Sequence, residues 1–104
     1  MEKYLIFTSV GTQLPFDRLI KKVEKDFADK NCKIIYQVGL GGYKPDNSDS
    51  VHEVLNKNEY IDIINSCDLM ITHCGTGSLI SSIQYEKPII CMPRMEVFGE
   101  HRND

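Results

Sequence analysis

No apolar run in the 104 residues approaches the roughly 18 that a membrane-spanning helix needs. The four cysteines, Cys32, Cys67, Cys74 and Cys91, form no Cys-x-x-Cys pair, and three of them sit inside apolar segments. Buried reduced thiols fit that placement better than a disulfide framework or a zinc site. Positive charge is also in short supply: 12 Lys and Arg against 15 Asp and Glu leave a net charge of -3. That argues against recognition of nucleic acid through a basic field. Met1-Glu2-Lys3 leads into a short apolar run ending at Gly11 without a small-residue cleavage site, so no secretory signal is expected. Repeats, low-complexity tracts and linkers are missing, and the length suits one domain with a real core. The common nucleotide and hydrolase motifs fail as well. Gly-x-Gly-x-x-Gly would need glycine at Ile80, a Walker loop would need Gly-Lys-Ser/Thr, and a nucleophile elbow at Ser78 fails at Thr76 and Ile80. No paired carboxylates fall at strand ends, which disfavours a glycoside hydrolase.

What the chain does contain is a series of near-continuous apolar runs. Tyr4 to Val10, Lys33 to Val38, Asp68 to His73 and Pro88 to Pro93 read as parallel strands covered on both faces. Val51 to Leu55 alternates and is a shorter strand candidate. Phe16, Leu19, Ile20, Val23 and Phe27 fall on one helical face, with Lys21, Lys22 and Lys25 on the other and Pro15 placed at the first turn. Glu24, Asp26 and Asp29 read as a solvated charge run. Tyr60, Ile63, Ile64 and Cys67 mark a second helix, and Leu79, Ile80 and Ile83 a third, from about Thr76 to Tyr85. This order predicts a doubly wound, mostly parallel α/β sheet with right-handed crossovers. The eleven residues after Pro93 carry no helical pattern, so the single domain over 1–104 is expected to be incomplete at its carboxyl end.

In such sheets ligands bind outside the carboxyl ends of the strands. Three loops fall there: Gly11-Thr12-Gln13, Gly39-Leu40-Gly41-Gly42, and His73-Cys74-Gly75-Thr76-Gly77-Ser78, which opens a helix. In the third loop, glycines allow close approach, Thr76 or Ser78 can cap the helix, and free N–H groups favour a phosphate. An ordinary strand-to-helix turn with a hydroxyl cap explains the same residues. His73 is a candidate base, or a residue that orients or contacts a diphosphate. His52 and His101 lack partners at metal-ligand spacing and read as surface residues.

Phe7-Thr8-Ser9-Val10-Gly11-Thr12-Gln13-Leu14-Pro15-Phe16-Asp17-Arg18-Leu19 resembles the opening of family 28 glycosyltransferase C-terminal domains. Cys67 to Ser78, followed by Lys87-Pro88-Ile89-Ile90 and Met92-Pro93-Arg94, is similar to the second signature of the same family. Within it the chain resembles the small catalytic subunits of two-part UDP-sugar transferases that act on dolichol-linked saccharide, and their counterparts in bacterial capsule and exopolysaccharide synthesis. Pro93-Arg94 and the run from Phe98 to Asp104 resemble the bacterial branch.

The resemblance implies the Rossmann-like, donor-binding half of a GT-B enzyme. It places the diphosphate of a UDP-sugar against Gly75, Thr76, Gly77 and Ser78, with Gly11, Thr12 and Gln13 across the cleft. Gln37 falls beside the donor, and backbone near Val54 and Leu55 pairs with uracil. No metal or resident cofactor is implied, because backbone amides and helix dipoles stabilise the departing diphosphate. The implied partner is a membrane-anchored subunit that binds a lipid-linked saccharide acceptor at the cytoplasmic face, and the catalytic base belongs to it or is unknown. Ser81 stands where relatives carry a ribose-binding glutamate, and Glu86 where they carry a left-handed glycine. The isolated chain is expected to be oligomeric or soluble only with its partner, and a non-catalytic nucleotide-binding or subunit-interaction module is the alternative.

Overall fold

The computed structural model describes residues 4–11, 15–28, 30–46, 48, 50–73 and 76–92, with the backbone alone for 76–78. Among the described residues, five strands and three helices follow in the order β1 (Tyr4–Ser9), α1 (Asp17–Asp26), β2 (Cys32–Gln37), β3 (Ser50–His52), α2 (Lys57–Ser66), β4 (Leu69–Thr72), α3 (Thr76–Gln84) and β5 (Ile89–Cys91). All neighbouring strands pair in parallel, in the order β3-β2-β1-β4-β5. The expected element order and the doubly wound α/β class are therefore what the protein has.

Strand β1 divides the core by alternation. Ile6 and Val10 face α1, where Phe16, Leu19, Ile20 and Val23 bury the apolar stripe with Ile34, Tyr36 and Val38 of the β2 strand and its end. Phe7 points the other way, into a cluster with Ile64, Cys67 and Met70 that Tyr60, Ile63 and Tyr85 complete. Tyr60 meets Phe7 edge to face at 5.7 Å. Helix α2 starts with a capping box: Asn56 Oδ1 accepts from Glu59 N at 2.8 Å and Glu59 Oε1 from Asn56 N at 3.1 Å. At its other end the Lys87 ammonium donates to the carbonyls of Asn65 (3.2 Å) and Cys67 (2.9 Å), meeting the negative end of the helix dipole.

Several expectations need correction. Pro15 precedes α1 rather than occupying its first turn, because Phe16 is the cap and Asp17 the first helical residue. The third strand is only Ser50–His52 and ends before Val54 and Leu55. Strand β5 is not covered on both faces: Ile90 is 51% exposed. Leu79, Ile80 and Ile83 form a helix as expected but lie on its outer side, 38%, 57% and 79% exposed, while Ser82 is buried. Glu24 does not simply face solvent: it is half-buried, and its two oxygens accept from Tyr43 Oη (2.6 Å) and Asp46 N (2.7 Å). Of the thiols, Cys67 is buried, Cys32 and Cys91 are half-buried, and Cys74 lies outside the described residues.

Candidate functional site

Strand order reverses between β1 and β4: the chain runs outward from β1 through β2 to β3, then returns to lie beside β1 as β4. A crevice outside the carboxyl ends forms at such a reversal. Gly11 follows β1 there and His73 follows β4, and the two are in contact. A Cβ built on Gly11 would lie 2.7 Å from His73 Cε1, so only glycine admits the imidazole so closely. Gly11 also has φ +86°, in the region that L side chains avoid. Three residues past His73 the backbone enters α3, placing Thr76, Gly77 and Ser78 in its first turn, where helical N–H groups are unspent. Thr12, Gln13 and Gly75 lie outside the described residues. Ser81 sits one turn further along α3, half-buried, and Val54 and Leu55 lie beyond the carboxyl end of β3.

Gln37 closes β2 and is 4% exposed. Its Oε1 accepts from Ser9 Oγ at 2.5 Å, and its Nε2 donates to the carbonyls of Gly11 (2.7 Å) and Glu53 (3.3 Å). Because Ser9 Oγ already accepts from Gly11 N at 3.2 Å, its own hydrogen goes to Gln37. Both amide hydrogens of Gln37 meet carbonyls, which only accept, so the orientation of the amide is determined. Ser9 lies within the first family-like run but nothing there singles it out, and Glu53 falls in no motif. A serine at a strand end and a glutamate in a turn are unremarkable by composition, and their roles arise from strand register.

The loop after β2 is held by carboxylates. Glu53 accepts from Gly41 N at 2.9 Å with the Lys44 ammonium 3.7 Å away, and these two hold its carboxyl below the usual range. Asp17, at the start of α1, accepts from Tyr43 N at 2.9 Å. The hydrogen bond to Glu24, with burial and nearby negative charge, pushes the Tyr43 hydroxyl above its ordinary pKa. Lys21 covers the Tyr43 ring at 5.1 Å. No helix among the described residues is long and apolar enough to cross a membrane.

A doubly wound parallel sheet with a close glycine–histidine contact and a helix N-terminus at its point of strand reversal has the layout in which open α/β domains bind ligands. The chain belongs to the glycosyltransferase family 28 C-terminal domains, which it matches over residues 5–104. The UDP-N-acetylglucosamine transferase subunit ALG13 of Debaryomyces hansenii is 32% identical over 47 residues, 45% of this chain and 22% of that protein. Among solved structures, the glycotransferase of kitacinnamycin has a TM-score of 0.72 at 19% identity, over 89% of this chain and 25% of that one. CalG4, the calicheamicin glycosyltransferase, has a TM-score of 0.68 at 16% identity, over 88% and 24%. SnogD from Streptomyces nogalater has a TM-score of 0.57 at 20% identity, over 89% and 25%. These likenesses establish the Rossmann-like fold found in GT-B glycosyltransferases. The chain spans between a fifth and a quarter of the length of these proteins.

Proposed function

We propose that the chain is the donor-binding part of a glycosyltransferase that moves a hexose or N-acetylhexosamine from a UDP-sugar onto a lipid-linked saccharide. The observation that carries this reading is the meeting of Gly11 and His73 at the strand reversal, beside the first turn of α3. The N-terminus of a helix carries about half a positive charge and unspent N–H donors. Aimed at a diphosphate, it stabilises the charge that grows as the sugar leaves, which is where an enzyme gains rate. Gly11, Thr12 and Gln13 would close the pocket from the β1 side, Gln37 lies beneath it, and backbone near Val54 and Leu55 would meet the base. Ser81 would reach the ribose. His73, packed on Gly11, orients the donor, with base catalysis as its lesser role. The sugar nucleotide is substrate, and no resident cofactor is assigned.

Support for a two-part enzyme comes from the ALG13 relative, which is by name a subunit. The acceptor site would belong to a membrane-anchored partner subunit at the cytoplasmic face, in polysaccharide assembly. A second reading, a nucleotide-binding or subunit-interaction module without catalysis, draws on the exposed outer side of α3 and on Ser81 in place of an acidic ribose ligand. Glycosyl transfer on co-expression with the partner separates the two.

Calorimetry with UDP tests the site. Gly77→Val puts a branched side chain where amides meet the diphosphate and should cost about 2 kcal/mol or more, roughly 30-fold in Kd. Equal UDP affinity in a folded variant would remove α3 from the pocket.

A further inference from the structure

The hydrogen bonds of Gln37 join two turns that no strand pairing joins. Gly11 follows β1 and Glu53 follows β3, and β2 lies between those strands. The ladder carries the backbone as far as Val10 N to Gln37 O (3.1 Å), Val38 N to His52 O (2.8 Å) and Gly39 N to Glu53 O (3.0 Å). Beyond it, the buried Gln37 amide reaches both ways, to Gly11 O and to Glu53 O. Ser9, itself 1% exposed, holds the other end of the amide and, through Gly11 N, the same turn. Glu53 then continues the chain outward through its carboxylate to Gly41.

We propose that Gln37 is a positioning residue that sets the spacing between the phosphate-facing turn at Gly11 and the base-facing turn at Glu53 to Leu55, with Ser9 as its orienting hydroxyl. This rests on the donor-binding reading but changes the role of Gln37 within it. Its two N–H donors are committed to the protein's own carbonyls, so it shapes the pocket instead of contacting the ligand. A nucleoside diphosphate must reach both turns at once and is sensitive to their spacing. Uridine or pyrophosphate alone must reach only one.

The experiment measures binding of UDP, uridine and inorganic pyrophosphate to the full chain and to Gln37→Met, Ser9→Ala and the double variant, with thermal melts of each. One lost hydrogen bond in the linkage should weaken UDP about 3- to 10-fold for Ser9→Ala, and Gln37→Met somewhat more. The double variant should be no weaker than Gln37→Met, because the two side chains act as one unit. Uridine and pyrophosphate should each stay within about twofold of the unaltered chain. If Gln37 instead touches the ligand, Ser9→Ala leaves UDP affinity unchanged, and that result overturns the proposal alone. Loss of all three ligands in step with a lower melting temperature overturns it too, in favour of simple destabilisation. An unaltered chain that fails to bind UDP overturns the donor reading, and this proposal with it.

Discussion

Glu86 holds a backbone conformation that its side chain opposes. It has φ +55°, the one non-glycine with positive φ among the described residues. It is the residue after the last turn of α3: Glu86 N donates to Ile83 O at 3.2 Å and Lys87 N to Ser82 O at 2.8 Å, the bond pair of a Schellman cap. Pro88 follows and blocks continuation of the helix. An L side chain in the left-handed region costs about 1–2 kcal/mol. Glu86→Gly removes that strain but gives the unfolded chain extra freedom worth about 0.4–1 kcal/mol. The balance favours the glycine variant by about 0.5–1 kcal/mol, or about 2–8 °C in Tm for a domain of this size. Urea unfolding at unchanged slope reads the difference as a shift of midpoint. Glu86→Ala is the control, because it removes the same charge and keeps the Cβ. It should gain nothing. A glycine variant no more stable than the parent, or an alanine variant that gains as much, would refute the reasoning.

Three further outcomes follow from the geometry. The Glu53 carboxyl is held low by Gly41 N and Lys44, so its clamp is complete above the ordinary glutamate range and is lost as pH falls through the lower folded value. Amide exchange at Gly41, corrected for its intrinsic rate, should accelerate on that acid limb, and Glu53→Gln should flatten it. Gly11→Ala sets a Cβ 2.7 Å from the His73 ring at φ +86° and should destabilise the domain by about 1–2 kcal/mol or more while weakening UDP at least tenfold; a variant with unchanged melting and affinity would contradict the packing of Gly11 on His73. Burial pushes the Cys67 thiol up, so alkylation followed by mass spectrometry should mark the half-buried Cys32 and Cys91 in the native protein and Cys67 only after denaturation; native labelling of Cys67 at the rate of the other two would contradict its burial.

Much of this was legible in the residues because periodicity is a backbone property. The stripe Phe16, Leu19, Ile20 and Val23 can only be one face of a helix, and all four are buried against the sheet. Left-handed geometry at Glu86 was readable from the turn before Lys87-Pro88, since a helix must stop there and the resemblance implies a left-handed glycine at that position. Gly11 was readable as a candidate site residue, but the packing reason for a glycine there was not. That reason is the His73 ring, 62 positions away in sequence and adjacent only because β4 returns to pair with β1. Gln37 illustrates the same limit. A glutamine at a strand end suggests an outward amide, whereas register with Ser9 turns it into a buried link. Glu24 became a structural anchor because the loop after β2 folds back over α1.

Helix α3 shows where pattern and packing part company. Leu79, Ile80 and Ile83 fall at helical spacing, but so do Ser81, Ser82 and Tyr85. Both sets identify a helix, and hydrophobicity alone selects the first as the inner face. The protein turns the second inward: Ser82 is buried, and Ser81 and Tyr85 are half-buried. Ser82 Oγ donates to Leu79 O at 2.8 Å within the helix, which satisfies the hydroxyl and removes most of the cost of taking it out of water. Tyr85, on the same side of the helix, packs against the cluster of Phe7, Ile64, Cys67 and Met70. The cap at Glu86 then fixes the rotation of the last turn through Ser82 O and Ile83 O, and Lys87 ties that end to α2. Once those contacts are made, Leu79, Ile80 and Ile83 can only point outward. Which face of a short helix is buried is thus decided by fit and by the anchoring of its ends, and only the existence of the helix is decided by the spacing of its apolar residues.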